Sequence, residues 1–277
     1  MNETQSPQAA PERTSSDAPL LALTGVSKSF GPVEALKDVA FELRGGEVVG
    51  LVGDNGAGKS TLIKAIAGVQ PADEGEAYFE GRQVSLASPQ ASTRLGIATV
   101  YQDLALCENL DVVENLYLGH EIGNRIPGIH LLDEAAMEQR TLELLDSLGV
   151  TTIRSVRTEV AQLSGGQRQA VAIARSLLGE PKAVLLDEPT AALGIVQTRE
   201  ILSLIQRLKD RGLGVVVISH NLANVFEVAD RIVVLRLGRA VASLDADATR
   251  REEVVGAITG AEFGEPAAER TTEEQQL

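Results

Sequence analysis

The chain has 277 residues, 44% of them hydrophobic, enough to bury the core of one large domain or two small ones. Its net charge of −14 repels phosphate backbones, its single cysteine excludes an internal disulfide, and no apolar run approaches the roughly 18–20 residues that cross a bilayer. These features predict a globular protein with no nucleic-acid partner and at most a peripheral membrane role; the acidic amino end, Met1-Asn2-Glu3-Thr4-Gln5, does not match a secretory signal.

Residues 1–18 are Gln, Ser, Pro, Thr and Ala with scattered acids, a composition that predicts a disordered tail. Leu20 to Val26 and Val39 to Leu43 read as antiparallel strands, the second alternating apolar and polar residues before Gly45-Gly46. Between them Phe30 has two readings, a core ring or a flat surface on which a purine stacks. Val48 to Val52 is an apolar strand, and Gly53-Asp54-Asn55-Gly56-Ala57-Gly58-Lys59-Ser60-Thr61 follows it, the pattern of a phosphate-binding loop opening a helix. Gly53, Gly56 and Gly58 let the backbone turn its N–H groups inward, and the helix start adds partial positive charge. The loop residues Gly53, Asn55, Gly56, Gly58, Lys59, Ser60 and Thr61 are expected to hold a polyphosphate. Lys59 reaches the β and γ phosphates and the Ser60 hydroxyl ligates a bridging Mg²⁺.

Glu76 to Glu80 predicts a further short strand, giving a small β layer beside the nucleotide core. Ile97 to Gln102 is another strand, closing on Gln102, whose amide can ligate a metal or orient water. A helical insert follows, with helical spacing at Val112 to Leu116, a Gly/Pro-broken loop at Gly123 to Gly128 and a helix from Asp133 to Leu148. Cys107 has a small packing role, and His120 and His130 are expected on the surface of the insert. Leu163-Ser164-Gly165-Gly166-Gln167 stands at a helix start: Ser164, Gly165 and Gly166 make either a second anion seat or an ordinary serine cap.

Ala183 to Glu188 is a buried strand ending in two adjacent carboxylates, a placement that calls for a cation or a proton transfer. Asp187 is expected in the Mg²⁺ shell and Glu188 as the base that takes a proton from water. Gln197 to Lys209 reads as a helix, Gly214 to Ser219 as a core strand with His220 at its exit, and Arg231 to Leu244 as a hairpin turning at Gly238. Arg251 to Ile258 predicts the last helix, and residues 262–277 an acidic disordered tail.

Taken together these motifs resemble the ATP-binding subunits of ABC transporters, over about Leu20 to Ala261. The phosphate loop, the glutamine at Gln102, the signature Leu163 to Gln167, the acidic strand Leu185 to Thr190 and the switch histidine His220 occur in the family's order. The resemblance implies an α/β fold: a P-loop NTPase (RecA-like) core with an antiparallel β subdomain and a helical subdomain over about 103–180, within one ATP-binding domain of 19–261. It implies ATP and Mg²⁺ as cofactors, Phe30 as the adenine-stacking ring, and Glu188, His220, Gln102 and Lys59 as the catalytic set. It further implies a head-to-tail pair of such subunits, integral membrane permease partners at the cytoplasmic face of the membrane, and indirectly a substrate-binding protein. Val100 to Leu106, Asn115 to Gly119 and Glu188 to Gly194 are similar to the ATPases of bacterial monosaccharide importers of the fructose and ribose type. Gly194 stands where most of the family has an aspartate. The rival reading, a soluble ABC-type ATPase of DNA repair, chromosome structure or translation, predicts long heptad coiled coils or a basic linker, and the sequence has neither.

Overall fold

The structure, a computed structural model, describes residues 18–126 and 129–261. The tail expected over 1–18 lies outside the described residues but for Ala18, and that over 262–277 lies wholly outside them. Leu21–Phe30 (β1) and Val33–Leu43 (β2) form an antiparallel pair, longer than the apolar runs alone indicated. Val48–Val52 (β3) then leads through the phosphate loop into Lys59–Ile66 (α1). Glu74–Phe79 (β4) returns to pair with β1, and Arg82–Val84 (β5) completes a four-stranded antiparallel sheet of order β2-β1-β4-β5. Its alternating residues Val39, Phe41 and Leu43 are buried while Ala40 and Glu42 face out, so one side of the layer closes over α1.

Pro89–Arg94 (α2), capped by Ser88, precedes Ile97–Val100 (β6), after which the chain leaves the sheet. It forms Val112–Tyr117 (α3), Gly123–Ile126 (β7), Ile129–Leu132 (β8) and Glu134–Ser147 (α4) before returning along Gly165–Leu177 (α5). The β7 and β8 ladder corrects the expectation of a broken loop at Gly123 to Gly128: Gly123 pairs with Leu132 and Ile126 with Ile129. The Pro-Gly dipeptide between them, outside the described residues, is a turn signal as well as a helix breaker.

The remaining elements are Ala183–Asp187 (β9), Ile195–Asp210 (α6), Gly214–Ile218 (β10), Leu222–Val228 (α7), Arg231–Arg236 (β11), Arg239–Asp245 (β12) and Arg251–Thr259 (α8). They build a six-stranded sheet of order β12-β11-β3-β10-β9-β6, parallel except at the β12 edge. Strand residues alternate between its two faces. Val49, Leu51, Leu185, Val216 and Val233 pack with α1 and the antiparallel layer, while Val48, Val52, Leu186, Val217 and Val234 pack with α5 and α6. Burial on both sides explains why these strands read as unbroken apolar runs. The same pleat turns Asp187 toward the α1 side with Leu185.

Candidate active site

The carboxyl ends of β3, β9 and β10 finish level: Leu51 pairs with Ile218, which pairs with Asp187. Ligands of open parallel sheets bind at this edge, and the phosphate loop, Glu188 and His220 all leave from it. Within the loop, Gly53 has φ 151, Gly56 φ 76 and Gly58 φ 105, values that favour glycine. A Cβ at Gly53 would stand 2.1 Å from the Leu235 carbonyl oxygen, and one at Gly58 2.6 Å from that of Ala35. The loop is therefore wedged between β2 and β11, and its shape is set by backbone it cannot displace. No side chain caps α1, which leaves the first-turn N–H groups facing the cradle. Lys59 Nζ donates to the carbonyls of Gly53 at 2.8 Å and Asp54 at 2.9 Å, holding the ammonium across the loop mouth. Burial lowers the Lys59 pKa, against the pull of Glu188, Asp54 and Asp187.

Asp187 faces α1. Burial pushes its carboxyl above the usual aspartate range and the charge of Glu188 adds to this, while Lys64, Lys59 and a hydrogen bond with Ser60 oppose it. Tyr101 stands close enough for the Asp187 charge to reinforce the burial that raises its phenol. Glu188 sits in the left-handed region at φ 52, as does Ala192 at φ 57, in the turn from β9 to α6. Its amide donates to the Ile218 carbonyl at 3.0 Å, and its carboxylate lies 2.8 Å from His220 Nδ1. The Glu188 side chain is 15% exposed and that of His220 74%, so the carboxylate is sheltered and the imidazole is open to solvent.

The sequence-predicted residues thus fall into two groups. Lys59, Ser60, Asp187, Glu188 and His220 come together. Ser164, Gly165 and Gly166 do not join them. Ser164 and Gln167 cap α5 reciprocally, and the Gln167 amide donates to the Thr152 carbonyl at 2.7 Å. A Cβ at Gly165 would meet Leu193, and one at Gly166 would meet Gln197, both from the segment that follows Glu188. Gln102 lies exposed two residues beyond the end of β6. Phe30 is 43% exposed at the end of β1, which removes the core-ring reading. Cys107 is a free, half-buried thiol and His120 is exposed; His130 has no described side-chain environment.

The sequence pattern described as ABC transporter matches residues 36–191. This chain belongs to the ABC transporter family. Over 248 residues it is 46% identical to the fructose import ATP-binding protein of Rhizobium meliloti, covering 88% of this chain and 95% of that protein. It is also 46% identical over 245 residues to a xylose/arabinose import ATP-binding protein of Sulfolobus acidocaldarius, covering 88% and 96%. Among solved structures, a dimeric ATP-binding cassette in a post-hydrolysis state with ADP and phosphate superposes with a TM-score of 0.68 at 29% identity, covering 82% of this chain and 98% of that one. The fold is that of the ABC cassette, and the nucleotide is ATP.

Two contacts of this ABC site escaped the sequence reading. Asn224 of α7 donates to the Thr190 hydroxyl at 3.0 Å, tying the exit of β9 to the helix after His220. Helix α7 itself was missed, although the cap Asn221, whose side chain accepts from the Ala223 amide, is a start signal that sequence alone carries. Gly194 is the first residue of the α6 cap and supplies no side-chain bond there.

The Asp187 environment carries a stability prediction. A carboxyl whose pKa is raised on folding binds protons more readily in the folded chain, so stability falls as pH rises from the usual aspartate range through the raised value, and the loss persists at neutral pH. Asp187→Asn is therefore expected to melt a few degrees above wild type in nucleotide-free protein at pH 7.5, and to lose that advantage near pH 4. Paired thermal melts at the two pH values check it; a variant that melts lower at neutral pH would show that the charge is wanted by the fold itself.

Proposed function

We propose that this chain is the ATP-hydrolysing subunit of a monosaccharide importer, acting as a pair of identical subunits at the cytoplasmic face of the membrane beside integral permease subunits. The similarity to fructose and xylose/arabinose import ATP-binding proteins along nearly their whole length carries the sugar reading. Residues 19–261 are assigned as the ATP-binding domain, with about 103–180 as its helical subdomain, a division supported by the departure of the chain from the sheet after β6. No helix of the described residues is long and apolar enough to cross a membrane; membership of the ABC transporter family supports permease subunits as partners, with cargo delivered by a substrate-binding protein.

The donor set beside the phosphate loop suits Mg²⁺. The Ser60 hydroxyl and the half-buried Asp187 carboxylate are neighbouring hard oxygen donors, and burial disfavours the Asp187 charge. Ser60, Asp187 and Gln102 are proposed to hold the ion, which would supply positive charge against the terminal phosphates. Gly53, Asn55, Gly56, Gly58, Lys59 and Thr61 would bind the polyphosphate, and Phe30 would stack on adenine. Glu188 would accept the proton of the attacking water, and His220 would hold that carboxylate aimed at the γ phosphate. Ser164, Gly165 and Gly166 would close over the γ phosphate held by the partner subunit, the arrangement supported by the separation of the two half-sites in one chain.

Deleting the gene and growing the strain on single monosaccharides tests the reading. Growth on at least one of fructose, xylose or ribose should fail and return with wild type but not with Lys59→Ala. The tagged protein should co-purify with an integral membrane partner. Unchanged growth on every sugar, with only soluble or nucleic-acid partners captured, would reject it.

A further inference from the structure

Phe30 is an isolated exposed ring, and the structure shows what holds it. One carboxylate straddles the two residues before it: Asp73 Oδ1 accepts from Lys28 Nζ at 2.6 Å, and Asp73 Oδ2 accepts from the Ser29 amide at 2.7 Å. The Asp73 amide in turn donates to the Ser27 carbonyl at 2.9 Å. Lys28 and Phe30 lie two residues apart on β1, where its register with β2 is irregular. The Lys28 ammonium stands 5.7 Å from the Phe30 ring centroid, within cation–π range, and its side chain is only 16% exposed. Hydrogen bonds from Lys28 and from the Ser29 amide hold the Asp73 carboxyl below the usual aspartate range, so the clamp keeps its charge at neutral pH.

Asp73 belongs to the segment that leaves α1, the helix opened by the phosphate loop. That segment is wound onto the end of α1, with the Val69 and Gln70 amides both donating to the Lys64 carbonyl. Two residues after Asp73, Gly75 at φ 103 lets β4 approach β1 so closely that a Cβ there would stand 2.7 Å from the Gly25 carbonyl oxygen. Helix α1 and the segment after it therefore connect the phosphate loop to Asp73, and Asp73 to the two residues before Phe30.

We infer that Lys28 and Asp73 are positioning residues: they hold the Phe30 ring at a set distance and tilt from the phosphate loop, and so govern affinity for the nucleoside part of ATP without touching the phosphate chemistry. The inference rests on the proposed role of Phe30 as a purine-stacking surface. With the Lys28 ammonium over one face of the ring the other is left for the base, and the ring's position is fixed before the nucleotide arrives, which lowers the ordering cost of binding. A partly exposed ion pair by itself contributes little to stability, so its removal should read out in where the ring sits.

The test compares Mg-ATP with inorganic tripolyphosphate, which lacks the base, on full-length protein by calorimetry and steady-state hydrolysis. Lys28→Gln and Asp73→Ala should raise Kd and KM for ATP roughly three- to tenfold with kcat and tripolyphosphate affinity unchanged. Lys28→Arg should retain most of the wild-type affinity, and the isosteric Asp73→Asn guards against a folding defect by showing the same selective loss in weaker form. Equal weakening of ATP and tripolyphosphate, or no weakening of either, overturns the inference. Phe30→Ala separates the two levels of the argument. If it lowers ATP affinity selectively while the Lys28 and Asp73 variants do not, the clamp alone is wrong; if it leaves the ATP to tripolyphosphate ratio unchanged, the stacking role fails and the clamp with it.

Discussion

Glu188→Gln is expected to slow ATP hydrolysis by roughly 10²–10⁴-fold while ATP binding and ATP-dependent pairing persist. The carboxylate is sheltered at the end of β9 and fixed by the 2.8 Å contact with His220 Nδ1, so an amide of the same shape fits the same place. What the amide loses is the capacity to take a proton. Lys59, Ser60 and Asp187, which lie on the α1 side of the strand, are untouched, and nucleotide binding should therefore be preserved. Phosphate release measured beside size-exclusion chromatography with Mg-ATP separates the outcomes: a long-lived dimer with little turnover is expected, and wild-type turnover would end the assignment of Glu188 as the base. Gln is the informative substitution because removing the side chain would also free His220 and confuse proton transfer with positioning.

Two inactive variants should restore activity when mixed. Lys59→Ala removes the cation of one half-site, and Ser164→Asp places a negative charge at the other while keeping a good cap for α5. Alone, each homodimer has two defective sites. In a mixed dimer the intact Lys59 of one subunit faces the intact Ser164 of the other, so one complete site returns, and random pairing predicts up to about a quarter of the wild-type rate. A site completed within one chain would give no recovery at any ratio. The expectation follows from the placement of Gly165 and Gly166 against Leu193 and Gln197 of their own chain.

Much of this site was legible because each part is local. The phosphate loop needs glycines at the three positions where the backbone adopts positive φ, and those glycines are visible in the sequence whatever surrounds them. The carboxylate pair at Asp187 and Glu188 was legible because a buried apolar run ending in two acids is costly in any fold. The core strands were legible for a similar reason, since burial on both faces writes itself as continuous Val, Leu and Ile.

Other features depend on partners far away in sequence. The spacing could not say that Asp73 clamps Ser29 and Lys28 across 44 and 45 residues, that Asn224 reaches Thr190 across 34, or that Asp187 is raised by burial against α1. Composition and spacing did not say that Phe30 is exposed, since a phenylalanine is more often a core ring; only the family resemblance pointed to a stacking surface. The hairpin at Gly123–Ile126 and Ile129–Leu132 was hidden because glycine and proline mark a turn and a break with the same letters.

The residues by themselves determined the family, the phosphate cradle and the chemical groups gathered around it, because backbone sterics and the desolvation of charge act on short stretches regardless of what packs beyond them. Which of those groups meet, which stay apart, and what contacts the residues before the aromatic ring were decided only when the two sheets closed over α1, since electrostatics and exposure depend on distances that the order of residues does not contain.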